Sequence, residues 1–169
     1  MKRLPAAVLL VATIGAGCRS TSDTAATPPT AAIDTARIIA AVAAVFDSLG
    51  LAEAAGDVAA FGAVFAPNAR IDGQGGVPLI GRAAIEGKAA QSFAARTYHS
   101  MDMTPVGTRL WGDSAAMAHG TLVEVHTPHG EKTRTEYGRW AGEVERDAAG
   151  KWRIRHLIAF LDSTRTRGD

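Results

Sequence analysis

The sequence predicts an α+β domain in which three helices precede an antiparallel sheet and pack against one of its faces. Apolar residues recur at helical spacing from Ile38 to Phe93, and the period switches to alternation from Thr97 onward. The switch happens once, so helices and strands are segregated along the chain rather than mixed. The 169 residues are 47% hydrophobic and 21% charged, with a net charge of +1, which suits one domain with a tail. Charge this balanced excludes a nucleic-acid binder that works by electrostatics, and Lys and Arg are dispersed among acids. A single cysteine excludes an internal disulfide and a thiolate metal cage.

Met1-Lys2-Arg3 is a positive start, Leu4 to Ile14 an apolar run, and Gly15-Ala16-Gly17 a small-residue stretch before Cys18. The run is shorter than the roughly 20 residues that span a bilayer, and fits the core of a signal peptide over residues 1–17. Cys18 at this place resembles the lipobox of bacterial lipoproteins, in which cleavage leaves the cysteine as a diacylated N-terminus. The leucine preferred three residues earlier is Gly15 here. Ordinary cleavage nearby and an uncleaved anchor are the alternatives. The resemblance implies export to the bacterial cell envelope and attachment to a membrane surface, each buried methylene contributing about 0.8 kcal/mol. Loss of Lys2 and Arg3 leaves a charge of −1, so lipid is the whole anchor. After Cys18, residues 19–32 are Ser/Thr/Ala/Pro-rich without periodicity, so residues 18–32 read as an acylated flexible tether.

The domain is expected over residues 33–163, with 164–169 a disordered tail. Ile38, Val42, Val45, Phe46 and Leu49 form one helical stripe, capped by Asp34 or Thr35 and ended by Gly56. Asp57 caps a short second helix carrying Val58, Phe61 and Phe65, with Pro67 as its stop. Ala69–Ile71 and Val77–Ile80 flank a Gly-rich stretch and read as a small hairpin or loop. A third helix runs from about Arg82 to Ala95, with Ile85, Ala89 and Phe93 inward. Four strands follow at roughly 97–110, 114–126, 132–146 and 151–162, joined by turn-like segments. In the last, Trp152, Ile154, His156, Ile158 and Phe160 share the apolar face, leaving Leu157, Ala159 and Leu161 outside.

Several phrases occur together in a familiar order: AAGDVAAFGAVFAPNARIDG, GRAAIEG, LWGDSAAMAHGTLVEV and YGRWAGEVERDAAGKWRIRHL. With Gly56-Asp57, Phe65-Ala66-Pro67, Gly81-Arg82, Gly112-Asp113 and Gly150-Lys151-Trp152-Arg153-Ile154, the chain resembles SnoaL-like, DUF4440-type domains of the NTF2-like superfamily over residues 34–162. The resemblance implies a cone, a curved antiparallel sheet wrapped around helices to leave a pocket. Its members include isomerases, dehydratases, polyketide cyclases and binding or assembly modules, so fold does not settle activity. Ketosteroid-isomerase-like members use a tyrosine on the first helix and an aspartate after the first strand. Leu49 and Gly73 hold those places here, with Asp72 one residue early, and the oxyanion hole of that reaction is missing.

The expected function is binding of a small, largely apolar ligand. The alternatives are an acid/base isomerase, cyclase or dehydratase, and a non-catalytic dimeric interaction module. His156 reads either as an acid/base or ligand-binding group or as a core histidine satisfied by a neighbour. His119 shares alternation with Met117 and Thr121 and joins His156 in the pocket if that register faces inward; the opposite register puts Ala116, Ala118, Gly120 and Leu122 inside. Asp72 completes the tentative catalytic set. The expected pocket wall is Phe46, Phe61, Phe65, Met101, Met103, Met117, Tyr137 and Trp152. Glu124, His126 and His129 have a metal-like spacing near a hairpin tip but lack a third strong ligand, so no metal and no cofactor are expected. The expected partners are a small molecule, a membrane through the lipid and a second copy in a homodimer through Leu157, Ala159 and Leu161, with no nucleic acid.

Overall fold

The computed structural model describes residues 34–73 and 76–167; the expected signal peptide (1–17) and the expected tether with Cys18 (18–32) lie outside the described residues. Asp34 accepts a hydrogen bond from the Arg37 amide at 3.0 Å and starts helix α1, Thr35–Ala54. Its stripe of Ile38, Val42, Val45, Phe46 and Leu49 is buried as the spacing predicts. By length and hydropathy α1 is able to cross a membrane, yet this stripe packs into the core against the sheet. Asp57 caps α2, Val58–Ala63, through the Ala60 amide at 2.9 Å. Pro67 does not stop that helix. It lies within strand β1, Phe65–Gly73, at an irregularity in the pairing, where a residue without an N–H is tolerated.

Strand β2 (Leu79–Ile80) and helix α3 (Arg82–Ala95) follow, then β3 (Arg96–Trp111), β4 (Ala115–Pro128), β5 (Arg134–Arg146) and β6 (Trp152–Thr166). They form one curved sheet in the order β2-β1-β6-β5-β4-β3. The last four strands are the expected meander. The segment read as a hairpin or loop contributes β1 and β2, and β1 pairs with β6 in parallel, not antiparallel. The Arg82 guanidinium donates to the Phe65 carbonyl at 3.0 Å and ties the start of α3 to β1.

Pairing register decides which side chains face the helices. On β4, Ala116, Ala118, Gly120 and Leu122 are buried, while His119 and Thr121 are exposed. Their partners Val144, Gly142, Trp140 and Gly138 on β5 are buried in step. On β6, Ile154 opposes Val144, but His156 opposes Glu143, leaving Arg155 as an extra residue. This β-bulge reverses the alternation. Ile154 and Leu157 are both in the core, whereas His156, Ile158 and Phe160 take the open face. His156 is thus not on the face of Ile154, and Leu157, Ala159 and Leu161 are not on the outer face.

Two close approaches seat α1 on the sheet. The Phe46 ring lies against Gly142, where a Cβ would come within 2.8 Å of it, and its centroid is 4.2 Å from that of Trp140. Gly50 meets the Met101 carbonyl so closely that a Cβ there would sit 2.1 Å from the oxygen. Trp140 is itself held by donating to the Thr121 carbonyl at 3.0 Å. Truncation of Phe46 to alanine is expected to cost about 3–5 kcal/mol. Gly142→Ala is expected to cost about 1–3 kcal/mol by overpacking. Urea unfolding of both variants checks this, with unchanged m-values expected.

Candidate functional site

Between helices and sheet lies a partly open cavity of about 90 Å³ lined by Glu53, Phe61, Ile71, Ile85, Phe93 and Tyr98, among others. That is the room of about three waters at roughly 30 Å³ each. A run of rings leads through it. Phe61 meets Phe93 edge-on at 5.8 Å, Phe93 meets Tyr98 at 5.5 Å, and Tyr98 meets His126 at 5.7 Å. Beyond the rings the wall turns polar. Glu124 and His126 continue the inward parity of β4, and Glu136 and Arg134 oppose them on β5. Glu53 arrives from α1, one turn beyond Leu49 on the same stripe.

These groups are buried and incompletely paired. His126 is 1% exposed, and its Nδ1 lies 2.8 Å from Glu124 Oε1. Glu53 is 8% exposed, and its Oε2 has no hydrogen-bond partner; the Arg96 Nε is likewise buried without one. Burial, then the negative charge of Glu124, pushes the Glu53 carboxyl well above the usual carboxylate range, against the opposing pull of Arg96. Burial and then Glu136 raise Glu124 in the same way. Burial holds His126 below the ordinary histidine value, and the Tyr98 phenol is pushed up to about 12 by burial and by Glu124 and Glu53. Carboxyls whose ionisation burial disfavours and an imidazole whose protonation burial disfavours are able to donate and accept protons inside an apolar shell.

The expected catalytic residues lie elsewhere. His156 and Asp72 do meet, Nε2 to Oδ2 at 2.6 Å, and Arg70 binds both Asp72 oxygens at 2.6 Å. They sit on the open face, since Arg70 and Asp72 flank the inward Ile71 on β1. His119 shares that open face, with its ring over Gly107. β5 lies between His119 and His156 and the register offsets them by two residues, so their Cα atoms are roughly 12 Å apart at the usual strand spacing and rise. A dent of about 50 Å³ between Met117, Glu143, His156 and Ile158 adjoins the dyad.

Of the expected pocket wall, Phe61 lines the cavity. Phe46 and Phe65 are fully buried core, while Met101 and Met103 pack on that core and also border a separate, open pocket of about 500 Å³ between α1 and β3, with Asp47, Gly50, Leu51 and His99. Met117 and Tyr137 are on the open face, where Arg165 lies over the Tyr137 ring, so neither reaches the interior. Trp152 borders a shallow groove with Val45 and Ala41 of α1, away from the cavity. Glu53, Arg96, Tyr98 and Glu136 were missed. Glu53 carried a signal, since it extends the Leu49 stripe by one turn. Glu136 carried none, because only the β4–β5 register sets it opposite Glu124.

The helices packed on the curved six-stranded sheet make the α+β cone of the NTF2-like fold. A family described as the SnoaL-like domain matches residues 34–158, and the chain belongs to that family, within the NTF2-like superfamily. A search of curated proteins returned no match. Among solved structures, a ketosteroid isomerase-like protein from Erwinia carotovora atroseptica is 16% identical, covers 76% of this chain and 95% of its own, and superposes with a TM-score of 0.64. A proposed scytalone dehydratase from Novosphingobium aromaticivorans is 12% identical, with 78% and 88% coverage and a TM-score of 0.67. A conserved protein from Planctomyces limnophilus is 15% identical, with 75% and 97% coverage and a TM-score of 0.69. Likeness at this level shows the shared fold.

The open-face dyad gives a pH prediction. The Arg70 guanidinium, then His156, holds the Asp72 carboxyl down to about 2 from an ordinary 3.8. A depressed carboxyl contributes stability above its unfolded value and loses it as pH falls toward the folded value. Wild type is therefore expected to be more stable than Asp72→Asn above pH 4, with the difference vanishing as pH falls to about 2. Denaturant midpoints measured across that window check it.

Proposed function

We propose that the domain binds a small, largely apolar molecule with one polar end in the interior cavity. The apolar part would contact Phe61, Ile71, Ile85 and Phe93, and the polar end would meet Glu53 and Tyr98. What carries this reading is the Glu53 carboxyl oxygen, buried without a partner at the wall of an aromatic-lined space. A buried acceptor left open costs about 1–3 kcal/mol, which a ligand donor or a water offsets. An apolar cavity of about 150 Å³ takes up benzene. At about 90 Å³, this one would take a smaller group as it stands, and a ring the size of phenol only with outward movement of α3.

Acid/base turnover of isomerase, cyclase or dehydratase type is a second reading, favoured by the same carboxyl. Its proton-handling group would be Glu53 rather than His156, His119 or Asp72, which face the other side of the sheet. The sequence supports export and a lipid anchor at Cys18, which would hold this pocket at a bacterial membrane surface.

Native mass spectrometry of the purified chain is expected to show a retained small-molecule adduct. Phenol, used as a probe, is expected to raise the unfolding temperature of wild type and leave that of Ala89→Leu, which fills the cavity, unmoved. No adduct together with equal phenol shifts in both proteins would overturn the binding reading. In fractionated bacterial cells Cys18→Ser is expected to move the chain out of the membrane fraction.

A further inference from the structure

The geometry points to a divalent metal site formed by Glu124, His126 and Glu136 at the polar end of the cone. One donor atom from each lies within 4.8 Å of the other two, and no ion is needed to assemble them. The sequence spacing had offered His129 as the third member. That residue sits on the exposed turn after β4, and the place is taken by Glu136 from β5.

Three independent features ask for a cation there. Glu124 and Glu136 are direct cross-strand partners on the inward face, an arrangement that is destabilising for like charges unless something lies between them. His126, 1% exposed, already turns Nδ1 to Glu124 at 2.8 Å. Ligands about 2.0–2.1 Å from a tetrahedral ion are roughly 3.3 Å apart, so a small widening admits the metal. Glu53 is more than nine-tenths buried with an oxygen that has no partner, and Glu124 is the charge that acts most strongly on it.

The charge balance agrees. Three carboxyls converge with Arg96, while Arg134 is engaged by Glu131 and Lys88 is exposed at the cavity edge. Two negative charges remain when all three carboxyls are ionised, which a divalent ion neutralises. Two carboxylates and one imidazole form a borderline donor set that suits Zn²⁺, Mn²⁺ or Fe²⁺ rather than an all-oxygen calcium cage. Fewer than four protein ligands would leave a coordination position open to a water or another small ligand. The site does not depend on the apolar-ligand reading, and either can fail alone.

The test uses the full-length chain stripped with EDTA, titrated with Zn²⁺ by calorimetry and with Co²⁺ by visible absorption. One ion per chain is expected, with Co²⁺ bands in the visible range. Glu136→Gln and His126→Gln are each expected to weaken Zn²⁺ binding by at least about tenfold and remove the Co²⁺ bands. Glu136→Gln removes one of two opposed charges, so its metal-free unfolding temperature is expected to stay level or rise, which separates lost binding from lost folding. Absence of saturable binding by wild type would overturn the proposal and leave protons as the neutralising agent. Unchanged affinity in both variants would overturn it as well, because the ion would then sit elsewhere.

Discussion

Phe46 resting in the notch left by Gly142 is the contact on which the interior depends. A side chain at Gly142 would meet that ring at 2.8 Å, and Trp140 stacks beside it at 4.2 Å. The notch fixes the height of α1 above the sheet, and Gly50 against the Met101 carbonyl fixes its position one turn later. Glu53 follows Phe46 by seven residues, close to two helical turns, and so falls on the same face. A helix seated further from the sheet would carry that carboxyl into water. Seated here, Glu53 is 8% exposed and closes the polar end of the cavity.

Much of this was legible beforehand because helices and meander strands are local patterns. The α1 stripe, the Asp57 cap and the four long strands follow from spacing and capping chemistry, and the strand ends lie within a few residues of expectation. Two features resisted for physical reasons. The parallel pairing of β1 with β6 joins residues more than eighty positions apart, and no local period reports such a partner. The bulge at Arg155 adds one residue, and since the side-chain period is two, the side chains from His156 to Leu161 change face before a second irregularity at Asp162. Alternation read straight through this point puts the imidazole of His156 inside; the bulge places it outside, beside Asp72.

The interior site was partly legible. With Ala116, Ala118, Gly120 and Leu122 inward, parity alone carries Glu124 and His126 inward too, and that register had been one of two open choices. Such a group is costly to keep, because each buried carboxyl loses hydration that one guanidinium cannot restore to three. The open-face trio of Arg70, Asp72 and His156 is the opposite case: fully partnered, partly solvated and beside a dent too small for a ligand. Paired surface charge of that kind stabilises modestly, whereas a buried carboxyl oxygen without a partner costs stability.

The claim beneath all of this is that several glutamates are held inside the cone without adequate counter-charge. A ¹³C NMR titration of the glutamate side-chain carboxyls in metal-free protein measures that directly. Glu53 and Glu124 are expected to titrate clearly above the ordinary value of 4.5, apart from the exposed glutamates. If every glutamate titrates together near 4.5, the interior is solvated or fully paired and the account of this site is contradicted.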